Sequence, residues 1–200
     1  VPVMLVTCGD FQQPNIMTAA WTGIVCSDPP MAYVSVRRER LSHALISRTG
    51  TFALNLTTKE LVKAADFCGV KSGREVDKIK HLGLSVSLGS ILCPLLDQSP
   101  VSLECRVVKK LELGVHDMFL AEIVAVHAEA DLLDEDGKLH LERAGLIAYS
   151  HGDYVELGKT LGTFGYSVRK KERKKEEKPL RRAAARRPLS KKRRTPKSGL

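Results

Sequence analysis

The residues best equipped for chemistry mostly stand at the wrong spacing for the commonest motifs. Gly152-Asp-Tyr-Val-Glu-Leu-Gly-Lys-Thr160 looks like a phosphate-wrapping loop, but five residues separate its glycines where such a loop needs four. Tyr154, Val155 and Leu157 are also bulky where backbone must approach phosphate closely. No GxGxxG stretch is present, so a dinucleotide would not be held in a doubly wound fold. Asp131, Asp134 and Asp136 miss the calcium-loop spacing and lack its closing glutamate, which makes a polar turn the better account. The six histidines show no metal-ligand pattern, and Ser42-His43 has no GxSxG elbow to make the serine a nucleophile. Cys8, Cys26, Cys68, Cys93 and Cys105 are odd in number and contain no CxxC pair, which disfavours zinc and disulfide frameworks alike. No metal site is expected.

The elements that must carry any site read as mainly β. Residues 2–8 form a short apolar run closed by Gly9-Asp10, a buried strand. A second strand is expected within 19–26 and a third over 31–36, entered through Pro29 and Pro30, where a missing N–H does no harm. Leu41, Leu45 and Arg48 have helical spacing, with Gly50 as the stop. Phe52, Leu54 and Leu56 alternate, predicting a half-buried strand over 51–56. Leu61, Ala65 and Cys68 suggest a second helix ended by Gly69. Further strands are expected where Leu82 to Leu88 and Val101 to Val107 alternate. A long strand over 118–128, apolar on both faces, belongs in the middle of a sheet. Asp136-Gly137 marks a hairpin turn back into Leu139 and Leu141. Short strands with few helices favour an antiparallel barrel or sandwich over a βαβ fold.

Charge divides the chain. Of its net +9, residues 169–200 hold 16 Lys/Arg against 3 Glu, leaving 16 basic and 20 acidic side chains in residues 1–168. The first part is therefore a mildly acidic folded domain. The rest has almost nothing to fill a core and is expected to be a disordered basic tail. Such a tail attracts polyanions weakly, without aromatics to stack on bases. No apolar run reaches the roughly 20 residues that span a bilayer. The chain starts at Val1 rather than Met, so its true N-terminus is expected to be missing or trimmed; with no signal-peptide pattern in what is given, a soluble cytoplasmic protein is expected.

An ordered set of short fingerprints resembles the flavin reductase-like family, most closely its flavoredoxin-type branch. They are Pro2-Val-Met-Leu-Val-Thr7, Pro14-Asn-Ile-Met-Thr-Ala-Ala-Trp21, Asp28-Pro-Pro30, Ser42-His-Ala-Leu-Ile46, Gly50-Thr-Phe-Ala-Leu-Asn55, Ser72-Gly-Arg-Glu-Val-Asp-Lys78, Tyr154-Val-Glu-Leu-Gly158 and Gly162-Thr-Phe-Gly-Tyr-Ser167. Each is weak alone; their order and spacing over residues 2–167 make the likeness specific. It implies an FMN-binding split β-barrel, antiparallel and of Greek-key type, with a few short flanking helices. Members generally pair as homodimers with flavin near the subunit interface.

The resemblance also implies where FMN would be held. Its phosphate wants hydroxyls, helix-start N–H groups and a cation. Ser42, at the start of the helix over 41–48, supplies a hydroxyl, or else serves only as a cap. Lys78, with Ser72 before it, matches a basic family position near the flavin, or else is a surface lysine beside Asp77. Asn15, Thr18, Ala19, Ala20 and Trp21 match the segment lining the ring, the small residues letting backbone amides approach. Trp21 otherwise reads as a core or interface residue. Asn55 offers an amide at a strand end. Arg37 and Arg38 are weaker candidates. His116 aligns with a family histidine able to stabilise negative charge on reduced flavin, and Tyr149 and Tyr154 close over the pocket or pack the dimer.

The activity implied is hydride transfer from NADH or NADPH to flavin and on to an unspecified acceptor, as a flavin reductase or a flavoredoxin-like electron carrier. No side chain need act as a nucleophile. The alternative is a non-catalytic flavin binder or sensor with no route for nicotinamide.

Overall fold

The computed structural model describes residues 1–169. They divide into a compact unit, Val1–Lys159, and a second unit beginning at Thr160. Within the second unit, one 3-10 turn covers Tyr166–Val168. Except for Arg169, the expected basic tail lies outside the described residues.

The compact unit is mainly β. Its strands are β1 (Met4–Gly9), β2 (Pro14–Ala19), β3 (Thr22–Ser27), β4 (Pro30–Arg37), β5 (Thr51–Leu56), β6 (Val86–Leu88), β7 (Pro94–Leu96), β8 (Val101–Glu112), β9 (His116–Ala128), β10 (Ile147–Ser150) and β11 (Asp153–Glu156). Helices α1 (Leu41–Thr49), α2 (Val62–Val70) and α3 (Lys78–His81) interrupt them. Seven strands make one antiparallel sheet in the order β2-β1-β5-β8-β9-β4-β3, and β6-β7 and β10-β11 are separate two-stranded ribbons.

That order contains the fact that positions everything else. Strands β2 and β3 stand at opposite edges of the sheet, yet only Ala20 and Trp21 join them. Two linking residues can span only about 10 Å, so the sheet must curl until its edges meet. The Ser35 N–H donates to the Trp21 carbonyl at 2.9 Å and carries the β3-β4 ladder up to this join. The seam of the barrel therefore runs through residues 18–21.

Inside the barrel lie Val6, Cys8, Met17, Val34, Phe52, Leu54, Cys105 and Phe119, plugged by Leu45 and Ile46 of α1. On the other face of β1 and β2, Leu5 and Ile16 pack with Ala65 and Cys68 of α2. Successive residues of β1 thus serve two cores, as the two-residue period of a strand requires.

Several boundaries differ from expectation. The run over 14–19 is a strand of its own, and the chain breaks at Ala20-Trp21 where one strand was expected over 19–26. Helix α2 runs through Gly69 to Val70. Strand β5 is buried on both faces rather than one, with Ala53 packed under Cys93 and Leu95. Of the alternating run 82–88, only Val86–Leu88 is strand, since α3 and its cap take up the chain to Leu82. Strand β9 is central in the sheet, but Met118, Leu120 and Val124 remain only half-buried. At Asp136-Gly137 the chain forms one isolated bridge, Leu133 to Leu139, while Leu141 begins a 3-10 turn. All five cysteines are free.

Candidate functional site

Three clefts follow β2 and the seam. The first, about 200 Å³, lies between the start of β2, α1 and the segment 73–79, and is lined by Asn15, Leu41, Gly73 and Lys78. Lys78 begins α3, and Asp77 caps that helix by accepting from the Lys80 N–H instead of pairing with Lys78. The lysine is 4% exposed, and its Nζ donates to the carbonyls of Cys68 and Lys71 at the end of α2, at 3.3 and 3.2 Å. Burial pushes the Lys78 ammonium below its usual range. Among the described residues no carboxylate lies within ion-pairing distance, so this is a buried cation held only by a helix C-terminus.

Asn15 faces the same cleft, its side-chain N–H donating to Ser42 Oγ at 2.7 Å. A Cβ at position 73 would fall 2.1 Å from Asn15 Oδ1, so glycine there lets the 72–78 loop close over the amide. The cap expected of Ser42 is corrected. Arg40 occupies the N-cap position, and the serine, 1% exposed, is shut behind Asn15 with its hydroxyl holding that amide. Ser72 accepts from the Arg74 N–H in the turn preceding Lys78 and does not line the cleft.

The second cleft, about 190 Å³, opens at the seam and brings together Thr18, Ala19, Ala20, Trp21, Arg37 and His116, with Arg40 beside them. Trp21 is 57% exposed, and its ring meets the His116 imidazole at a centroid distance of 4.6 Å. Arg37 and His116 are cross-strand partners on β4 and β9, which sets both at the mouth. Arg37 also pairs with exposed Glu39 at 3.0 Å. Arg40 reaches from the start of α1 to the Gly69 carbonyl at 2.9 Å and ties α1 to α2. No carboxylate lines this cleft, which carries two guanidinium groups and an imidazole beside an apolar aromatic face.

Behind His116 lies a network that sequence reading missed. Asp117 is 1% exposed and accepts from Arg38 Nε at 2.8 Å, with His43 Nε2 at 2.8 Å and Lys110 Nζ at 3.6 Å. The bond to His43, then that to Arg38, holds its carboxyl below the usual aspartate range. Arg38 therefore anchors the end of β4 rather than facing the cleft. His43 and Asp117 are 74 residues apart, so no local spacing could have joined them. Arg40 was findable, being a third arginine at the same strand-to-helix junction.

The third cleft, about 300 Å³, shares Thr18 and Ala20 with the second and adds Asp66, Val70, Tyr149 and Tyr154. The tyrosines are cross-strand partners in the β10-β11 ribbon, edge to face at 5.5 Å. Gly152 turns directly into β11, a tight hairpin rather than a phosphate loop.

Asn55 is the remaining correction. It is wholly buried, donating to the Leu5 carbonyl and Thr7 Oγ1 and accepting from the Leu96 N–H and Ser102 Oγ. It stitches β1, β5, β7 and β8 together and presents no surface to a ligand. The four buried cysteines are likewise unsuited to chemistry, and burial pushes the thiols of Cys8 and Cys68 up to about 11.

Comparison with known proteins gives this arrangement a family. The chain is similar to the flavoredoxin of Desulfovibrio vulgaris (Miyazaki F), with a TM-score of 0.78 and 29% identity over 84% of this chain and 92% of that one. A protein assigned as a flavin reductase with a split barrel domain, from Shewanella frigidimarina, superposes with a TM-score of 0.74 at 19% identity, covering 82% of this chain and 85% of that one. The FMN reductase (NADH) RutF of Stutzerimonas stutzeri is 26% identical over 110 residues, 55% of this chain and 62% of that protein. The flavin reductase like domain matches residues 1–158, the whole compact unit but its last residue, and the chain belongs to that family, with the split-barrel fold its strand order requires.

Proposed function

We propose that this protein is an FMN-binding oxidoreductase that takes reducing equivalents from NADH or NADPH. The observation carrying this reading is the chemistry of the first two clefts along β2. One buries an ammonium with no acid partner, and the other sets two arginines and a histidine beside an aromatic plane. A ligand combining a phosphate dianion with a flat, electron-accepting ring satisfies both donor sets, so the residues fit FMN. Lys78 and Asn15 would hold the phosphate, with Ser42 and Gly73 fixing the amide. Thr18, Ala19, Ala20 and Trp21 would face the ring, and His116, Arg37 and Arg40 would balance negative charge there. Bound FMN supplies the hydride-accepting chemistry itself; the chain contributes orientation and electrostatics.

A homodimer accompanies this reading. On the outward face of β9, before the bulge at Val124, Met118 and Leu120 stay half-buried, an apolar patch that a second copy would cover. NADH use is supported by the likeness to RutF and electron carriage by the likeness to flavoredoxin.

The test is optical. Protein mixed with FMN and freed of excess should retain a flavin absorption band, and anaerobic NADH or NADPH should bleach it. Steady NADH oxidation with free FMN makes it a reductase, whereas bleaching without turnover makes it a carrier. Retained colour that neither nicotinamide bleaches would leave a flavin binder or sensor. A colourless protein would overturn the reading.

A further inference from the structure

Between β9 and β10 the chain makes a long excursion. Among the described residues, no hydrogen bond or ion pair joins residues 130–144 to the rest of the fold. The segment is docked by Leu132, Leu139 and Ala144, which share an apolar cluster with Met4, Leu56 and Val101 of β1, β5 and β8. Its backbone bonds are internal: two 3-10 turns, and a bridge between Leu133 and Leu139. A segment tied in this way opens more readily than any strand of the sheet.

At its centre stands His140, whose side chain is only 14% exposed. Nε2 lies 2.8 Å from Asp134 Oδ2, and Nδ1 lies 2.7 Å from Glu142 Oε1. Two carboxylate partners need two donors, and an imidazole carries two only when protonated. Asp134 Oδ1 in turn accepts from the Asp136 and Lys138 N–H groups, while the His140 N–H donates to the Leu132 carbonyl at 2.7 Å. One ring thus joins the turn over 134–138, the 3-10 turn Leu141–Arg143 and buried Leu132. The bonds to Asp134, then Glu142, hold the imidazolium above the usual histidine range, with Arg143 opposing them. Strands β1, β5 and β8 bring only apolar side chains to the cluster, and Lys59, whose stem passes Gly145, is paired with Glu156 at 3.5 Å. Besides His140, residues 129–143 hold six acidic side chains against Lys138 and Arg143, so losing its proton also leaves the segment repelling itself.

We propose that Asp134, His140 and Glu142 form a pH-sensitive clasp, closed while the imidazole is protonated and released when it is not, which sets how firmly residues 130–144 are held against the barrel. A group whose proton is bound more tightly in the folded state adds its full stability below the unfolded value. The clasp is therefore complete below about 6.5 and is lost as the pH rises through the higher folded value. Beyond it the neutral ring donates to one carboxylate and turns a lone pair toward the other. No member of the clasp lines the three clefts along β2, so it is independent of flavin.

The experiment is amide hydrogen exchange of the full chain from about pH 5.5 to about pH 9 at fixed ionic strength, each rate taken against its intrinsic rate at that pH, alongside an NMR titration of His140. Protection of the Asp134, His140 and Arg143 amides should fall roughly fivefold as the pH rises, the size of one partly exposed charge pair, while β5 stays protected. His140 should titrate above 6.5. Glu142→Gln should hold the fall within about twofold, because its amide N–H can donate to the neutral ring. Glu142→Ala should lose protection already at low pH. Glu142 is exposed, so both variants keep the docking of Leu132 and Leu139. A native profile flat in pH would overturn the clasp, as would a loss shared by β5 or a His140 that titrates at or below 6.5. So would a Glu142→Gln protein as sensitive to pH as the native one.

Discussion

A lysine that loses its water must be compensated, and Lys78 has only two peptide carbonyls for the purpose. A phosphate in the first cleft would complete its coordination. Lys78→Met should therefore weaken FMN binding roughly ten- to a hundredfold, read from flavin fluorescence quenching, with little change in thermal midpoint. Glu104 is the opposite case, a buried charge fully satisfied and remote from the clefts. It accepts from the Ser90 N–H and hydroxyl, the Ile91 N–H and His127 Nε2. Burial pushes its carboxyl up, but the Ser90, His127 and Ile91 bonds outweigh this and leave it below the usual glutamate value. A depressed carboxyl adds stability above the unfolded-state value of about 4.5 and loses it as pH falls through the folded value. Glu104→Gln should cost about 2 kcal/mol at pH 7 in chemical denaturation, and the deficit should shrink as the medium is acidified below pH 4.5. Asp117 acts through its neighbour. Since Trp21 is the sole tryptophan and touches His116, Asp117→Asn should change the intrinsic fluorescence spectrum, while Glu104→Gln in its folded state should not.

At the scale of elements, β2 is the strand on which the three clefts depend. It is an edge strand, but α2 flanks it, with the Thr18 hydroxyl bonded to the Ala65 carbonyl. An edge exposed along its length would invite pairing with other chains. Here the helix protects it and opens clefts at both ends. Helix α1 must stop sharply so that β5 can return into the barrel, and Gly50 does this at φ 70°, donating its N–H to the Ile46 carbonyl. A Cβ at Gly50 would touch nothing within 4 Å, so Gly50→Ala meets backbone strain alone. It should lower unfolding free energy by about 1 kcal/mol and leave flavin affinity unchanged, a separation that calorimetry and titration can resolve.

For the whole molecule, charge is divided along the sequence. The net charge of residues 169–200 is +13 and that of residues 1–168 is −4. Flavin binding is therefore expected of the compact unit alone. A chain ending at residue 168 should keep its FMN affinity while losing salt-sensitive retention on heparin or nucleic acid columns. Loss of flavin binding on truncation would show that the division is misplaced. Among the described residues no helix is long and apolar enough to cross a membrane.

The sequence by itself determined the family, the β-rich class and most of the strands, because alternation, turn glycines and ordered fingerprints are local properties. It also brought Thr18, Ala19, Ala20, Trp21 and Lys78 forward, since each stands inside a short motif. Only the tertiary structure decided what these residues face. Ser42 and Asn55 have the right chemistry in the right segments, but packing turns one behind Asn15 and the other into the barrel wall. His43, Asp66 and Asp117 carry no local signal, because their partners arrive from strands or helices 74 to 88 residues away. The seam is likewise a consequence of closure: two residues joining opposite edges of one sheet force it to curl, and the clefts open where the edges meet.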